Sequence, residues 1–319
     1  MNLDLEELGI NKSINVEDFI LDTSSIPKID ISGYIKYETK EIRCKIIDEN
    51  IEHISGGYGI IKYAIRYYNN IQIPCVIKES IDVSFNILNE AILQHLSYTT
   101  LKIHKLEYMI PKVYDIYYNT NVCFSMQRIT GEFLHTFLVN SETSEKDFIY
   151  CFLQISIVLY ILENKLFLDH RDLRVTNVFV VKDPKEIKFT IENKIYTYSC
   201  NYHICILDFG FACIGNKPSK INASEALFKK RDKCFKPGRD IFQLLISLLS
   251  LDSIKNKFSL EFYNKLASLL YDKKDYRNLL KSKEKADLSY IAINYDDFTF
   301  DSLLPSNFIK VLIHLLDTI

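Results

Sequence analysis

Strand-like apolar runs dominate the first third of the chain, and helical periodicity dominates the last. The run around Val76-Ile77 reads as a strand. Asn86 to Leu101 then reads as a helix, because Leu88, Ile92 and Leu96 recur at i, i+4 and i+8 and share one face. Val122 to Ile129 is strand-like again. Phe148 to Leu162 is apolar over most of its length, and Ser144-Glu-Lys-Asp147 ahead of it has the form of a helix cap. Further on, Val178 to Val181 and Ile204 to Leu207 are short apolar runs of strand length. Between them, Lys185 to Ser199 alternates around Glu192-Asn193-Lys194. Ile187, Phe189 and Ile191 share a face before that turn, and Tyr196 and Tyr198 share one after it, which predicts a hairpin. From Asp240 the pattern is helical, with Phe242, Leu245, Leu248 and Leu249 on one face. The first fifty residues mix short apolar runs with charges at no strong period. With no internal repeat or long linker, the order predicts an α+β protein, a small sheet-rich part followed by a larger helical one.

Composition narrows this picture. The 319 residues are 48% hydrophobic and 25% charged, which is globular and argues against disorder. A formal net charge of -2 gives no general case for nucleic-acid or membrane binding. The stretch Phe148 to Leu162 is shorter than the roughly 20 residues that span a bilayer. It also holds Gln154 and Ser156 and runs into Glu163, so it reads as a buried helix. Met1 to Gly9 is acidic and lacks an apolar signal segment, and the scattered cysteines point to an intracellular protein. The eight cysteines are scattered, with no C-x-x-C pair and no zinc spacing. Reduced, buried thiols are the expectation for them, and not a disulfide scaffold.

Candidate chemistry is concentrated in a few strings. His170-Arg-Asp-Leu-Arg-Val-Thr-Asn177 lies between an apolar helix and a strand, so it is a loop. On it, Asp172 can accept a proton from an attacking hydroxyl, and Asn177, five residues on, can ligate a metal. Asp208, in Ile206-Leu-Asp-Phe-Gly210, ends a strand and offers a second hard oxygen on a flexible turn. Ser55-Gly56-Gly57-Tyr58-Gly59 would let backbone amides approach phosphates, although such a cluster alone is equally a turn. Lys78 in Cys75-Val-Ile-Lys78 is a cation at a strand end, and Glu90 on the following helix could pair with it. Read singly, these two are an ordinary surface lysine and glutamate.

Taken in order, Gly56-x-x-Gly59, Val76-x-Lys78, Glu90, His170 to Asn177 and Asp208-Phe-Gly210 resemble the signature set of eukaryotic-type protein kinases. Pro237-Gly-Arg-Asp240 resembles the segment whose Asp anchors the catalytic loop there, and Asp272 to Arg277 resembles a late element of that family. The similarity spans about residue 50 to residue 280. It implies a bilobal fold over 1–319, with an N-lobe of about 1–128, a C-lobe of about 129–319 and a hairpin insertion at about 183–202. It implies ATP and Mg2+ (or Mn2+) as cofactors. Lys78 would hold the α- and β-phosphates, and Glu90 would position it. Asp172 would be the base with Arg174 beside it, and Asn177 and Asp208 would bind the metal. Gly56, Gly57, Gly59 and Ile61 would cover the nucleotide, and Met126, Gln127 and Ile129 would line the entrance and hinge that hold adenine.

The departures from that family are informative. Ile54 stands where the first loop glycine is usual, and Arg174 stands where Ser/Thr kinases commonly have Lys. The Ala-Pro-Glu element is missing, with Ala223-Ser224-Glu225 its nearest approximation. Asp172 and Asp208 are 36 positions apart, about double the family's usual spacing, and the predicted hairpin supplies the excess. A hairpin there with a degenerate Ala-Pro-Glu region resembles haspin, the divergent histone kinase, although haspin-type proteins usually alter the Asp-Phe-Gly triplet. The resemblance therefore implies a monomeric Ser/Thr kinase acting on a protein substrate, chromatin-associated or acidic. The acidic option rests on eight basic residues from Lys217 to Arg239, set against Glu225 and Asp232. Ser219 and Ser224 are the only hydroxyl residues between Asp208 and Arg239, which predicts no switch by phosphorylation of that segment. A pseudokinase scaffold is the alternative from another class, and ATP turnover separates the two. A small-molecule kinase of the aminoglycoside or choline type would show His-Gly-Asp in place of His170-Arg-Asp172.

Overall fold

Alternation in the first third of the chain resolves into one curled antiparallel sheet. The computed structural model describes residues 2–3, 14–15, 26–37, 41–46, 54–56, 59–80, 87–215, 234–270 and 303–318. The short strands β1 (Asn2–Leu3) and β2 (Ile14–Asn15) pair with each other. The main sheet contains β3 (Tyr34–Lys36), β4 (Glu41–Ile46), β5 (Ile54–Gly56), β6 (Gly59–Tyr68), β7 (Ile71–Ser80), β8 (Val113–Tyr118) and β9 (Val122–Gln127). Its order is β3-β4-β6-β7-β9-β8, with β5 also on β6. Residues 26–30 then tie the two outer strands together. The Ile29 amide donates to the Tyr118 carbonyl at 2.9 Å, and Asp30 donates to the Tyr34 carbonyl at 2.9 Å. Edge strands with unpaired backbone groups are thereby covered.

The closed side of this sheet buries Ile35, Ile42, Cys44, Ala64, Cys75, Ile77, Tyr117 and Cys123. Among them lies a buried ion pair, Arg66 Nε to Asp115 Oδ2 at 2.5 Å, with Ser125 Oγ on the same oxygen at 2.9 Å. Strand alternation puts Lys78 out of phase with Cys75 and Ile77, on the opposite face. There the sheet meets α1 (Ile87–Ile103), which packs on β8 and β9.

The helical part is built on α3 (Glu145–Leu166), preceded by α2 (Leu134–Val139). Ser144 and Asp147 form a reciprocal capping box: the Ser144 amide donates to Asp147 Oδ2 at 2.8 Å, and the Asp147 amide donates to Ser144 Oγ at 3.2 Å. The helix is 22 residues long and apolar enough to cross a membrane, yet it is packed inside the protein. Its polar residues have internal work. Gln154 Oε1 accepts from the Ile204 amide at 3.0 Å, and Ser156 donates to the Phe152 carbonyl at 2.7 Å. Around it stand α4 (Arg239–Leu249), α5 (Asp252–Lys257), α6 (Leu260–Ser268) and α7 (Pro305–Leu316). Two small sheets complete this part. One is β10 (Glu132–Phe133) with β12 (Val178–Val181) and β15 (His203–Ile206); the other is β11 (Leu168–Asp169) with β16 (Cys213–Ile214).

The span 185–200 is a hairpin, β13 (Lys185–Ile191) and β14 (Lys194–Cys200). Its turn lacks glycine but meets the two-residue requirement through left-handed Glu192 (φ 48°) and Asn193 (φ 65°). Ile187, Phe189 and Ile191 bury in the main core. Tyr198 stacks on Tyr150 of α3 with centroids 5.5 Å apart, and Glu192 pairs with Lys310 of α7 at 2.6 Å.

The cysteines correct one expectation. Cys213 on β16 is disulfide-bonded to Cys234, while the other six remain buried thiols. Spacing could not signal this pair, since its members are 21 residues apart and only the approach of β16 to the start of α4 brings them together. The molecule is thus α+β, with a sheet-rich N-terminal region and a helical C-terminal part, an arrangement compatible with a kinase-like fold.

Candidate active site

Residues far apart in sequence meet where the sheet faces the helical part. Lys78 Nζ lies 2.5 Å from Glu90 Oε1 and 2.8 Å from Asp208 Oδ1. The β7 strand holds the lysine and the first turn of α1 holds the glutamate. Asp208 adopts a left-handed backbone (φ 62°), an uncommon conformation for a residue with a side chain. Its Oδ1 also accepts the Gly210 amide at 3.3 Å. A Cβ on Gly210 would lie 3.1 Å from Asp208 Oδ1 and 3.4 Å from Glu90 Oε2, so any larger residue there would crowd the ion cluster.

Burial opposes the Lys78 charge, but Asp208 and Glu90 outweigh it and push the ammonium's pKa up. Burial likewise pushes Asp208 up, but the lysine beside it wins and holds the carboxyl below its ordinary value. Glu90 is pushed up to about 7, chiefly by burial, with Lys78 working against that shift and Asp208 adding to it. The neighbours thus favour the charged forms of Lys78 and Asp208, while burial works against the Glu90 carboxylate.

The loop 170–177 is held from beneath. Asp240, at the start of α4, accepts the His170 amide at 2.7 Å and the Arg171 amide at 2.8 Å. Gln243 donates to the Arg171 carbonyl at 2.7 Å, and His170 Nε2 reaches the Leu207 carbonyl at 3.0 Å. This support fixes Arg171 in a left-handed conformation (φ 64°). Asp172 then sits in a small hydrogen-bonded frame. Arg174 Nη2 donates to its Oδ2 at 2.8 Å, and Asn177 Nδ2 donates to the same oxygen at 3.0 Å and to the Asp172 carbonyl at 2.7 Å. Burial raises the Asp172 pKa, and Arg174 opposes the shift. A carboxylate whose pKa is raised is a better proton acceptor.

The donor set fits a hard cation. Asn177 spends its amide nitrogen on Asp172, which leaves its oxygen as an acceptor. Asp208 spends Oδ1 on Lys78 and Gly210, and its side chain is 43% exposed. One carboxylate and one amide oxygen suit a cation that takes the rest of its ligands from water and phosphate. No group of three or more His, Cys, Asp or Glu able to hold a metal alone occurs among the described residues.

The remaining expected residues are placed less uniformly. Ile61 pairs with Lys78 across β6 and β7 and with Ile54 across β5, so it sits beside the lysine. Gly56 and Gly59 face each other at the end of the β5–β6 pair, and Gly57 lies outside the described residues. Met126 receives Gln94 Nε2 at 3.3 Å from its sulfur. The Gln127 amide donates to the Lys112 carbonyl at 2.8 Å, and Arg128 to Thr130 lie outside regular structure. Ile129 lies on that stretch. Of the basic run 217–239, only Lys236 and Arg239 are described. Both are buried, and Arg239 pairs with Asp169, so neither contributes to a basic surface. Ser219, Ser224, Ala223 to Glu225 and Asp272 to Arg277 lie outside the described residues.

Phe179 and Phe133 were not anticipated. They are register partners across β12 and β10, with rings 4.7 Å apart edge to face. Val178 and Val180 bury in the core while Phe179, out of phase, stays half-buried. The signal was present in the sequence as an aromatic residue two positions after Asn177. Its partner, 46 residues earlier, was not predictable without the sheet.

No protein-family model matches the chain. Over 142 residues, 44% of this chain, it is 28% identical to a protein of Invertebrate iridescent virus 3 named "Probable kinase 098L". The match covers 27% of that protein's length. The likeness supports a kinase-like family and, with it, the general use of ATP.

Proposed function

We propose that this protein is a protein kinase that transfers the γ-phosphoryl group of ATP to Ser or Thr hydroxyls of a protein substrate, inside the cell. The observation that carries the reading is the meeting of Lys78, Glu90 and Asp208 within hydrogen-bond distance, above a loop that holds Asp172 and Asn177. Chance pairing of a strand lysine with a helix glutamate would not also recruit an aspartate 130 residues away.

In this reading Lys78 binds the α- and β-phosphates, and Glu90 keeps it in place. Asp172 accepts the proton of the attacking hydroxyl, and Arg174 beside it offsets charge near the transferred group. Asn177 and Asp208 would hold Mg2+ (or Mn2+), which supplies charge neutralisation for the phosphates. Ile61, the register partner of Lys78, would present apolar surface to the base. Phosphoryl transfer asks mainly for positioning and electrostatics, and each such group has a candidate here.

A scaffold without catalysis is disfavoured by the assembled ion cluster and by the frame around Asp172. The two-lobed division near residue 128 belongs to the same proposal. The haspin subtype does not: no comparison carries it, and the hairpin is accounted for by its packing on α3 and α7. The buried positions of Lys236 and Arg239 also weaken the case for an acidic substrate. The test is a radiolabelled-ATP assay on a Ser/Thr/Tyr peptide library with Mg2+. Incorporation on Ser or Thr peptides is expected from the wild type and not from Asp208→Asn. Equal incorporation by both proteins would sink the assignment.

A further inference from the structure

Cys213 and Cys234 flank the node that supports the catalytic loop. Cys213 pairs in register with Asp169, the residue before His170. Asp169 accepts the Lys236 amide at 2.9 Å and forms an ion pair with Arg239. Arg239 in turn donates to the Cys234 carbonyl at 2.9 Å. Its neighbour Asp240 holds the His170 and Arg171 amides. The disulfide therefore joins covalently the two chain segments that this node otherwise joins by charge and hydrogen bonds.

The reduced pair also has a place in the same geometry. Cys213 Sγ lies 3.0 Å from the Cys234 carbonyl oxygen, to which a thiol can donate. The other six cysteines are single buried thiols with no disulfide partner. Burial raises their pKa values, to about 12 for Cys75 and Cys123, which makes them poor nucleophiles. Both cysteines are buried, Cys213 on a two-residue strand and Cys234 on a bend, and neither lies in a helix, so exchange proceeds through local opening of these segments.

We propose that Cys213 and Cys234 are a reversible redox pair, exchanging with a low-molecular-weight monothiol and its disulfide, and that the oxidised form fixes the catalytic-loop anchor. In reduction, the thiolate of one monothiol attacks a protein sulfur. The Cys213–Cys234 bond breaks, giving one protein thiol and a mixed disulfide. A second monothiol attacks the mixed disulfide, releasing the second protein thiol and the small-molecule disulfide. Two electrons and two protons pass to the protein, and oxidation is the reverse. Neither cysteine touches the reacting groups; both are positioning residues that act through Asp169 and Asp240. The consequence for turnover rests on the kinase reading, whereas the cross-link and its effect on the anchor do not.

The test divides the purified full chain between excess reduced glutathione and excess oxidised glutathione. Thiol alkylation with peptide mass mapping, hydrogen exchange over 168–173 and 235–243, and phosphoryl transfer are then measured. A linked Cys213–Cys234 peptide is expected only in the oxidised arm. Exchange there should be slower by about tenfold or more, because a cross-link restricts the opened state. Turnover should be higher in the oxidised arm. The Cys213→Ser/Cys234→Ser variant, or the double alanine variant if that one does not fold, should give identical values in both arms. Failure to form the linked peptide, equal exchange in arms shown to be fully converted, or a redox response that survives in the double variant would each overturn the proposal. If linkage and exchange respond but neither arm transfers phosphate, the redox pair stands and the kinase reading falls.

Discussion

Two clusters of charge lie on either side of the loop 170–177, and they differ in what they leave undone. Beneath the loop, Asp169 (2% exposed), Arg239 (0%) and Asp240 (1%) are sealed, and the two carboxylates accept backbone amides of the protein itself. Above it, Lys78, Glu90 and Asp208 are also close-packed, but the Asp208 side chain is 43% exposed. The first cluster exhausts its charge on backbone amides and so builds a rigid support. The second faces the loop bearing Asp172 and Asn177 with valence to spare, which is what a site for a polyanion and a cation needs. Burial and ion pairing alone do not distinguish a working cluster from a structural one. In the proposed reading, the exposed Asp208 side chain is what sets the upper cluster apart.

The comparison can be broken by removing one member from each side. Asp208→Asn should cut phosphoryl transfer by on the order of 10³-fold or more, since a ligand and a fixed charge are lost together. Its thermal midpoint should stay within a few degrees of wild type; a collapse of stability would show that the upper cluster is structural after all. Arg239→Ala should behave in the opposite way. It leaves Asp169 buried without its cation, a cost of about 3–5 kcal/mol by analogy with broken buried pairs. A fall in the denaturant midpoint is the readout, and a midpoint unchanged from wild type would show that the lower cluster is not structural.

A finer prediction concerns pH. Glu163 on α3 accepts the Gly238 amide at 3.1 Å and is pushed up to about 9 by burial, with Asp240 and Asp169 adding to the shift. The folded state thus keeps a proton that the unfolded chain releases near pH 4.5. Its stabilising effect is full below that value and is lost as pH rises toward 9, so stability should decline across the window. Glu163→Gln mimics the protonated form and should flatten the decline. An unchanged slope in thermal melts from pH 6 to pH 9 would refute the assignment.

The smallest effect is expected at the hairpin. Tyr202 donates to Asp147 Oδ1 at 3.0 Å, tying the end of the hairpin to the start of α3. Tyr202→Phe should cost about 1 kcal/mol of stability, seen as a small shift in melting temperature, with kcat and KM unchanged. A change in KM would mean that the hairpin contributes to the site.

Much of this architecture was legible from local pattern. The α3 cap, the hairpin and the strands around Val76 and Val178 follow from periodicity and turn chemistry, because short-range sterics and one-sided burial set them. The strings His170 to Asn177 and Asp208-Phe-Gly210 carried the site chemistry, since their roles depend on spacing within one loop. The closure of the sheet by residues 26–30, the Cys213–Cys234 bond, the Phe133–Phe179 pair and the burial of Arg239 were not legible. Each joins segments whose local sequence is compatible with several partners, and only the packed chain selects one. That Lys112 accepts the Gln127 amide was likewise not legible from position along the chain. The sequence by itself determined which groups could do chemistry. Tertiary structure decided which of them were left with charge, exposure and an open valence to do it, because desolvation and hydrogen-bond saturation are properties of neighbours brought together by the fold.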